Sequence, residues 1–182
     1  MTDDILTPRL RLSRPVEGDL DALFAISADP RVWTHYPSLR HQRPEDTLAG
    51  MACWEASWAR AGLGSWVVRL RSTGEVIGNG GCTLLGDAVW NLGYRLSADH
   101  HGNGYATELA FAAVEQARAV DPDRPVIAYL VEHNHASAKV AEKVGLELVH
   151  RAPDAGNPDP SVWRLVYADR PLDPAQLTAV SL

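Results

Sequence analysis

The stretch of sequence that decides the fold spans residues 94–108 and reads YRLSADHHGNGYATE. It begins in a β-rich segment, passes through Gly102-Asn103-Gly104 and continues into a helix-forming segment from Ala106. Glycines let the backbone turn without a Cβ clash, and the N–H groups at the start of a helix then point together at an anion. The junction therefore predicts an anion site that a pyrophosphate would fit.

An alternative interpretation of Asn103-Gly104 is a type I′ hairpin turn, for which this dipeptide is a strong signal. A hairpin needs a second alternating strand, whereas the apolar residues after Ala106 recur at spacings of three and four. These apolar residues are Leu109, Ala110, Ala113, Val114, Ala117 and Val120. Their spacing predicts a helix over residues 105–120 that packs against a sheet.

Working outward, the chain alternates β-rich and helical segments. Helical spacing predicts further helices at residues 19–28, 44–62 and 136–144. Residues 72–75, a Ser-Thr-Gly-Glu run, predict a hairpin turn. Strands are predicted at residues 9–13, 65–70, 76–85, 89–96, 125–131, 146–150 and 162–168. We expect an α/β chain with one domain over residues 5–170 and a tail, 171–182, without an assigned element.

Composition excludes several classes of function. With 46% hydrophobic and 22% charged residues, the chain has the make-up of an ordinary globular protein. A net charge of −6 argues against nucleic acid as a partner. No run approaches the ~20 apolar residues that a membrane span needs, so we expect no membrane partner.

The N-terminus and the cysteines indicate the compartment. The opening MTDDILTPRL is acidic and lacks the apolar region of a signal peptide, so a cytoplasmic protein is expected. Cys53 and Cys82 stand alone, without CxxC spacing, and we expect both to be buried structural thiols rather than a disulfide or a metal site.

Three segments resemble the GNAT superfamily of acetyltransferases. Residues 94–108 look like the central motif of that family, with Gly102-Asn103-Gly104 at its core. Residues 134–146 resemble the Asn-x-x-Ser helix and the Glu-Lys-x-Gly ending of its ribosomal-protein-type N-acetyltransferase branch, with Leu146 in place of the usual aromatic residue. Residues 7–12 are similar to that branch's first strand. The three matches occur in the expected order and span roughly residues 5–168.

The resemblance implies a fold and a co-substrate. The fold would be a mixed, mostly antiparallel sheet of about seven strands, flanked by helices and splayed in the middle to hold acetyl-CoA. Backbone groups of Tyr94 and Leu96 would pair with the pantetheine arm of acetyl-CoA. Asn134 would position the arm, and Ser137 would donate a proton to the departing thiolate. The alternative is that Asn134 is the N-cap of its helix and Ser137 a solvent-facing residue of the first turn. The pyrophosphate would be held by the backbone amides of Gly102, Asn103, Gly104, Tyr105, Ala106 and Thr107.

The implied reaction is acetyl transfer to a primary amine, either a protein N-terminus or a small molecule, with no metal required. The resemblance allows a homodimer. Asn91 lies where several relatives carry an acidic residue, and an amide cannot accept a proton. No general base is assigned; Glu132, His133 and His135 are the candidates in neighbouring loops. Asp99 stands where the wider superfamily has Arg or Gln, as acidic residues do in this branch.

Other interpretations remain open. A metal site is conceivable from side chains in two loops, although their spacing fits no common ligand pattern. A second alternative keeps the fold as an acyl-CoA-binding module without catalysis, since fold does not fix function. Several aromatic residues would line an acceptor pocket or fill the core: Trp33, Tyr36, Trp54, Trp58, Trp66 and Trp90. The metal site would use Asp99, His100, His101, His133 and His135.

Overall fold

The computed structural model describes residues 4–181 and places them in one eight-stranded sheet with five α-helices. The helices are α1 (Leu20–Ser27), α2 (Pro44–Ala61), α3 (Tyr105–Val120), α4 (His135–Lys143) and α5 (Pro174–Ser181). The strands are β1 (Ile5–Leu6), β2 (Leu10–Ser13), β3 (Ser65–Leu70), β4 (Val76–Leu85), β5 (Val89–Leu96), β6 (Val126–Val131), β7 (Glu147–Pro153) and β8 (Trp163–Ala168).

The sheet has the order β1-β2-β3-β4-β5-β6-β8-β7. Every neighbouring pair is antiparallel except β5 and β6, which are parallel. Because a parallel pair needs a long crossover, α3 connects these two strands and covers one face of the sheet. The predicted mixed, mostly antiparallel α/β fold is confirmed. Strand β1 was not predicted, because two residues are too few to show the alternation of apolar and polar residues that marks a strand.

The sheet is covered on both faces. Strand alternation directs Trp66 and Val68 to the large core that includes Leu109 and its neighbours on α3. Val67 points the other way and packs with Leu23 and Met51 of α1 and α2. The periodicity predicted for α3 is confirmed, since Leu109, Ala110, Ala113, Val114 and Ala117 are all buried.

Two predictions need correction. Cys53, expected to be buried, is exposed, because it lies on the outer face of α2, two residues after the buried Met51. Cys82 is buried as expected, and desolvation raises the pKa of its thiol. No element was predicted after residue 170, but Pro174–Ser181 forms α5. Its Val180 packs into a small core with Val89 and Ile127, so tertiary contacts stabilise a segment whose own periodicity is weak.

No helix within residues 4–181 combines the length and the apolarity that crossing a membrane requires.

Candidate functional site

A cleft of about 740 Å³ opens where β5 separates from β6. These parallel strands pair only at Trp90–Val126 and Asn91–Ile127, although β5 continues to Leu96 and β6 to Val131. The separated ends leave backbone groups of β5 facing open space, and both Tyr94 and Leu96 line it. The split therefore makes a slot for an extended ligand in the middle of the sheet.

One side of the cleft, which we call the glycine-loop half, consists of residues 98–104 and the first turns of α3 and α4. Gly102 and Gly104 have φ values of 79° and 80°, the left-handed region that favours glycine. Gly104 is the N-cap residue of α3, so the free N–H groups of the first turn begin immediately after it. Free N–H groups and the helix dipole together make this end suited to a phosphate group.

The glycine loop is held from two sides. Within the loop, the Asn103 side chain donates hydrogen bonds to the carbonyls of His100 (3.1 Å) and His101 (3.2 Å). From outside, Arg9 donates a hydrogen bond to the Asn103 carbonyl at 2.8 Å. The loop conformation is thereby defined before any ligand arrives.

Glu108 on α3 anchors the start of the chain to this loop. Its carboxylate accepts hydrogen bonds from the Thr7 hydroxyl (2.6 Å), the Arg9 backbone N–H (2.7 Å) and the Arg9 guanidinium (2.7 Å). Burial raises the pKa of Glu108, but these hydrogen bonds outweigh it and the net pKa is lowered. The similarity of residues 7–12 to a family first strand thus has a structural reason: those residues fix Glu108 and the loop beside it.

Asn134 and Ser137 meet Tyr94 in the middle of the cleft. Asn134 is the N-cap residue of α4, and its side-chain oxygen accepts a hydrogen bond from the Ser137 backbone N–H at 3.2 Å. Burial raises the pKa of the Tyr94 hydroxyl, partly offset by a hydrogen bond with Ser137. Two hydroxyl groups therefore lie together at the point where the slot in the sheet reaches α4.

The opposite side of the cleft, which we call the arginine half, contains residues 31–39, Arg95, Asp154 and Arg164. Arg95 stacks on Trp33, with its Cζ atom 3.5 Å from the ring centroid. Its Nη1 donates to the Val32 carbonyl at 2.7 Å and lies 3.3 Å from His35 Nε2. Burial lowers the pKa of Arg95 to about 10, so the group stays charged at neutral pH.

His35 is neutral at physiological pH. Burial, aided by the charge of Arg95, lowers its pKa to about 4. A guanidinium can only donate, so His35 Nε2 accepts from Arg95 and the ring proton resides on Nδ1. The His35 carbonyl is 2.9 Å from His133 Nε2.

A closed ion pair forms the floor of the arginine half. Arg164 contacts the Asp154 carboxylate at 2.6 Å, and the Asp154 side chain is only 1% exposed. Burial raises the pKa of Tyr36, helped by Asp154, to which its hydroxyl is hydrogen-bonded. The carboxylate of Asp154 is thus already engaged by Arg164 and Tyr36.

The structure brings most of the predicted site residues together. The cleft is lined by Tyr94, Leu96, Gly102, Gly104, Tyr105, Ala106, Thr107, Asn134 and Ser137. Asn103 does not line it, because its side chain folds back onto the loop. Asn91 does line the cleft.

The three candidates for a general base lie elsewhere. Glu132, His133 and His135 line a separate depression, and Glu132 is paired with Arg151 at 2.9 Å. Asp99, at the edge of the cleft, is paired with Arg31 at 2.7 Å. Within residues 4–181 no three His, Cys, Asp or Glu side chains are grouped closely enough to hold a metal ion.

Sequence reasoning did not single out Arg95, His35, Asp154 or Arg164. For Arg95 a signal was present: a charged residue stands between Tyr94 and the buried Leu96 in a strand whose other face is packed. Among the aromatic residues considered, Tyr36 lines the cleft, whereas Trp66 and Trp90 are buried in the core.

Comparison with known proteins agrees with this geometry. The family described as "Acetyltransferase (GNAT) domain" matches residues 9–147. The uncharacterized protein YkkB of Bacillus subtilis is 30% identical over 146 residues, which cover 78% of this chain and 84% of YkkB. A solved acetyltransferase from Agrobacterium tumefaciens is 30% identical, with a TM-score of 0.73 over 92% of this chain and 94% of that one.

A further solved structure shares the fold at lower identity. The ribosomal-protein alpha-N-acetyltransferase RimL, in complex with coenzyme A, is 17% identical, with a TM-score of 0.78 over 94% of this chain and 99% of that one. At 17% identity, this similarity shows only that the two chains share a fold.

Proposed function

The chain belongs to the GNAT family and is an acetyl-CoA-dependent acetyltransferase, and from this premise we propose that it acetylates a primary amine, on a small molecule or a protein N-terminus. The observation that carries the proposal is the slot between β5 and β6, which leads from the glycine loop to the paired hydroxyls of Tyr94 and Ser137.

The residues fit acetyl-CoA as co-substrate, which supplies an activated thioester. The backbone of Tyr94 and Leu96 is free of β6 and would bind the pantetheine arm as an added strand. The amides from Gly102 to Thr107 would bind the pyrophosphate, where left-handed glycines leave the backbone accessible. Asn134 would hold the start of α4 in place, which positions Ser137.

The chemical step needs little from the protein beyond positioning. The unprotonated amine nitrogen attacks the thioester carbonyl carbon, the carbon–sulfur bond breaks, and the nitrogen loses one proton as the amide forms. Ser137 would donate its proton to the departing sulfur, with the neighbouring Tyr94 hydroxyl as a source to replace it. Solvent in the open cleft would accept the proton from nitrogen, since the candidate bases line another depression.

Three finer features stay predictions: membership in the ribosomal-protein-type branch, a cytoplasmic location and a homodimer. The branch rests on the motifs at residues 94–108 and 134–146.

Release of free thiol from acetyl-CoA tests the proposed function. We expect purified protein to bind acetyl-CoA in calorimetry and to release CoA when a suitable amine is added, with one acetylated product per thiol by mass spectrometry. Binding without acetylation of any amine, peptide N-termini included, would favour the alternative of a non-catalytic acyl-CoA-binding module.

A further inference from the structure

The three arginines that line the cleft differ in their partners. Arg31 is paired with Asp29 and Asp99, and Arg164 is paired with Asp154. Arg95 has no ion-pair partner in the part of the chain that the structure describes, residues 4–181. Withdrawing a guanidinium partly from water without a counter-charge costs free energy of folding. Arg95 therefore does not serve the stability of the fold, and this indicates a role in binding.

The unused atoms of Arg95 form a carboxylate-binding edge. Its Nη1 group is engaged by the Val32 carbonyl and by His35. Its Nε and Nη2 groups have no hydrogen-bond partner among the described residues. These two groups present parallel N–H bonds, the arrangement that binds both oxygens of one carboxylate.

The orientation of that edge is fixed in advance. Trp33 stacks on the guanidinium plane, and the Trp33 indole in turn donates a hydrogen bond to the Ser27 carbonyl at 2.6 Å. His35 is neutral, so it contributes an acceptor and leaves the charge of Arg95 uncompensated. A preoriented cation loses little entropy when an anion binds.

Arg95 is also suitably placed relative to the reacting atoms. It follows Tyr94 directly in β5, so their Cα atoms are about 3.8 Å apart. The side chains of consecutive strand residues point to opposite faces of the sheet. Tyr94 contacts Ser137 on one face, so Arg95 projects on the other, where residues 31–39 cover the cleft. Tyr94, Arg95 and Ser137 nevertheless line one continuous cleft, so a short molecule in it is able to present its amine at the slot and an anion at Arg95.

We infer that the acceptor is a small amine with a carboxylate next to its amino group, a free α-amino acid in chemical class, and that Arg95 binds this carboxylate. The inference rests on the proposed acetylation of an amine. Polyamines and aminoglycosides would bring positive charge against Arg95. A protein N-terminus carries a neutral peptide group where the free amino acid carries its carboxylate.

The experiment compares the common α-amino acids with their carboxamides, which keep the size and the amine but lose the charge. Spermidine, kanamycin and a short peptide complete the set, and thiol release from acetyl-CoA is measured for each. The variants are Arg95→Gln, Arg95→Lys and, as a matched control, Arg60→Gln, whose side chain is 67% exposed and paired with Asp87. Calorimetry with acetyl-CoA alone is done on every variant.

We expect at least one free amino acid to be acetylated with a kcat/KM about 10-fold or more above that of its carboxamide. Arg95→Gln should lower kcat/KM for that amino acid by about 30-fold or more, mainly through KM, and change the carboxamide rate by less than about 3-fold. Arg95→Lys should recover part of the loss, since lysine keeps the charge without the fork. Arg60→Gln should match the parent.

Two results would overturn the inference: acetylation of carboxamides, peptides or cationic amines with no free amino acid accepted, or equal losses on amino acid and carboxamide in Arg95→Gln. Equal losses would mean that Arg95 only supports the fold. A parent protein that fails to bind acetyl-CoA would instead count against the proposed function, which keeps the two failures distinguishable.

Discussion

The two halves of the cleft use different parts of the chain for recognition. The glycine-loop half presents backbone N–H groups from one contiguous segment, residues 102–107, at a helix start. The arginine half presents side chains from separate segments: His35, Arg95, Asp154 and Arg164. Backbone groups suit a ligand part shared by a whole family, such as a pyrophosphate, whereas side chains are replaced easily and suit an acceptor that differs among members.

The same contrast appears in how each half is stabilised. The glycine loop is closed by the ion pair of Arg9 and Glu108 and needs no ligand charge to complete it. In the arginine half, Arg31 and Arg164 are both paired with carboxylates, whereas Arg95 has no ion-pair partner among residues 4–181. Substitutions in the two halves should therefore separate acetyl-CoA binding from acceptor selection.

The largest effect is expected from Gly104→Glu in the glycine-loop half. A side chain at φ 80° is strained, and a carboxylate at the helix N-terminus repels the pyrophosphate. Affinity for acetyl-CoA in calorimetry should fall by at least about 100-fold.

The matched control for this variant is Gly74→Glu, at an equally left-handed hairpin turn (φ 78°) on the surface. It should leave acetyl-CoA affinity at the parental value. If both variants bind as the parent does, the phosphate site lies elsewhere in the molecule.

A smaller effect is expected at the boundary of the two halves from Ser137→Ala. If the hydroxyl protonates the departing sulfur, it acts mainly in the transition state, so kcat and kcat/KM for the amine should fall together while acetyl-CoA affinity holds. We expect a loss of about 10- to 100-fold, at the lower end for a general acid because a thiolate leaves readily.

Tyr94→Phe distinguishes the two hydroxyls that meet there. It should cost less than Ser137→Ala if serine donates the proton directly and tyrosine resupplies it. An unchanged kcat in Ser137→Ala, in a variant whose melting temperature shows it to be folded, would remove Ser137 from the catalytic group and leave Tyr94 as the candidate.

A modest effect is expected from Glu108→Gln, which tests the support behind the glycine loop. The amide loses the charge that holds Arg9 and has one oxygen where the carboxylate uses two. KM for acetyl-CoA should rise by about 3- to 10-fold at constant kcat, as the loop becomes less ordered. Glu115→Gln, an exposed position on the same helix, is the control; an equal KM change there would show that helix charge alone is responsible.

The halves also differ in how far the sequence predicted them. The glycine loop, the α3 stripe and the Asn134–Ser137 cap depend on residues within four positions of one another, so local spacing suffices to find them. The first-strand motif was recognised by likeness, but its partner Glu108 lies 99 residues from Arg9. Sequence spacing carries no information about a contact of that kind.

The arginine half could not have been assembled from the sequence. Arg95 and His35 are 60 residues apart, and Arg164 on β8 pairs with Asp154, which follows the end of β7. Long-range packing likewise determines α5, whose Val180 is buried against strands distant in the chain. Periodicity reports which face of an element is buried, and it does not report which distant element covers that face.

The smallest effect is expected from substitution of His35, which changes how the stability of the protein depends on pH and so tests the arginine half. The folded pKa of His35, about 4, lies below its ordinary value of 6.5 because burial and Arg95 disfavour the charged ring. The unfolded chain therefore binds the proton first, so stability is retained above pH 6.5 and lost as the pH falls toward 4. Because the ring is only partly buried, solvent screening reduces the loss to about 1 kcal/mol, or roughly 2–4 °C in Tm. His35→Asn should flatten this part of the Tm–pH curve, whereas His135→Asn, at an exposed position, should follow the parent. If His35→Asn kept the parental slope, water would have to reach the Arg95 pocket freely. The attraction of Arg95 for the acceptor's carboxylate would then be much weaker, and Arg95 would contribute little to acceptor selection.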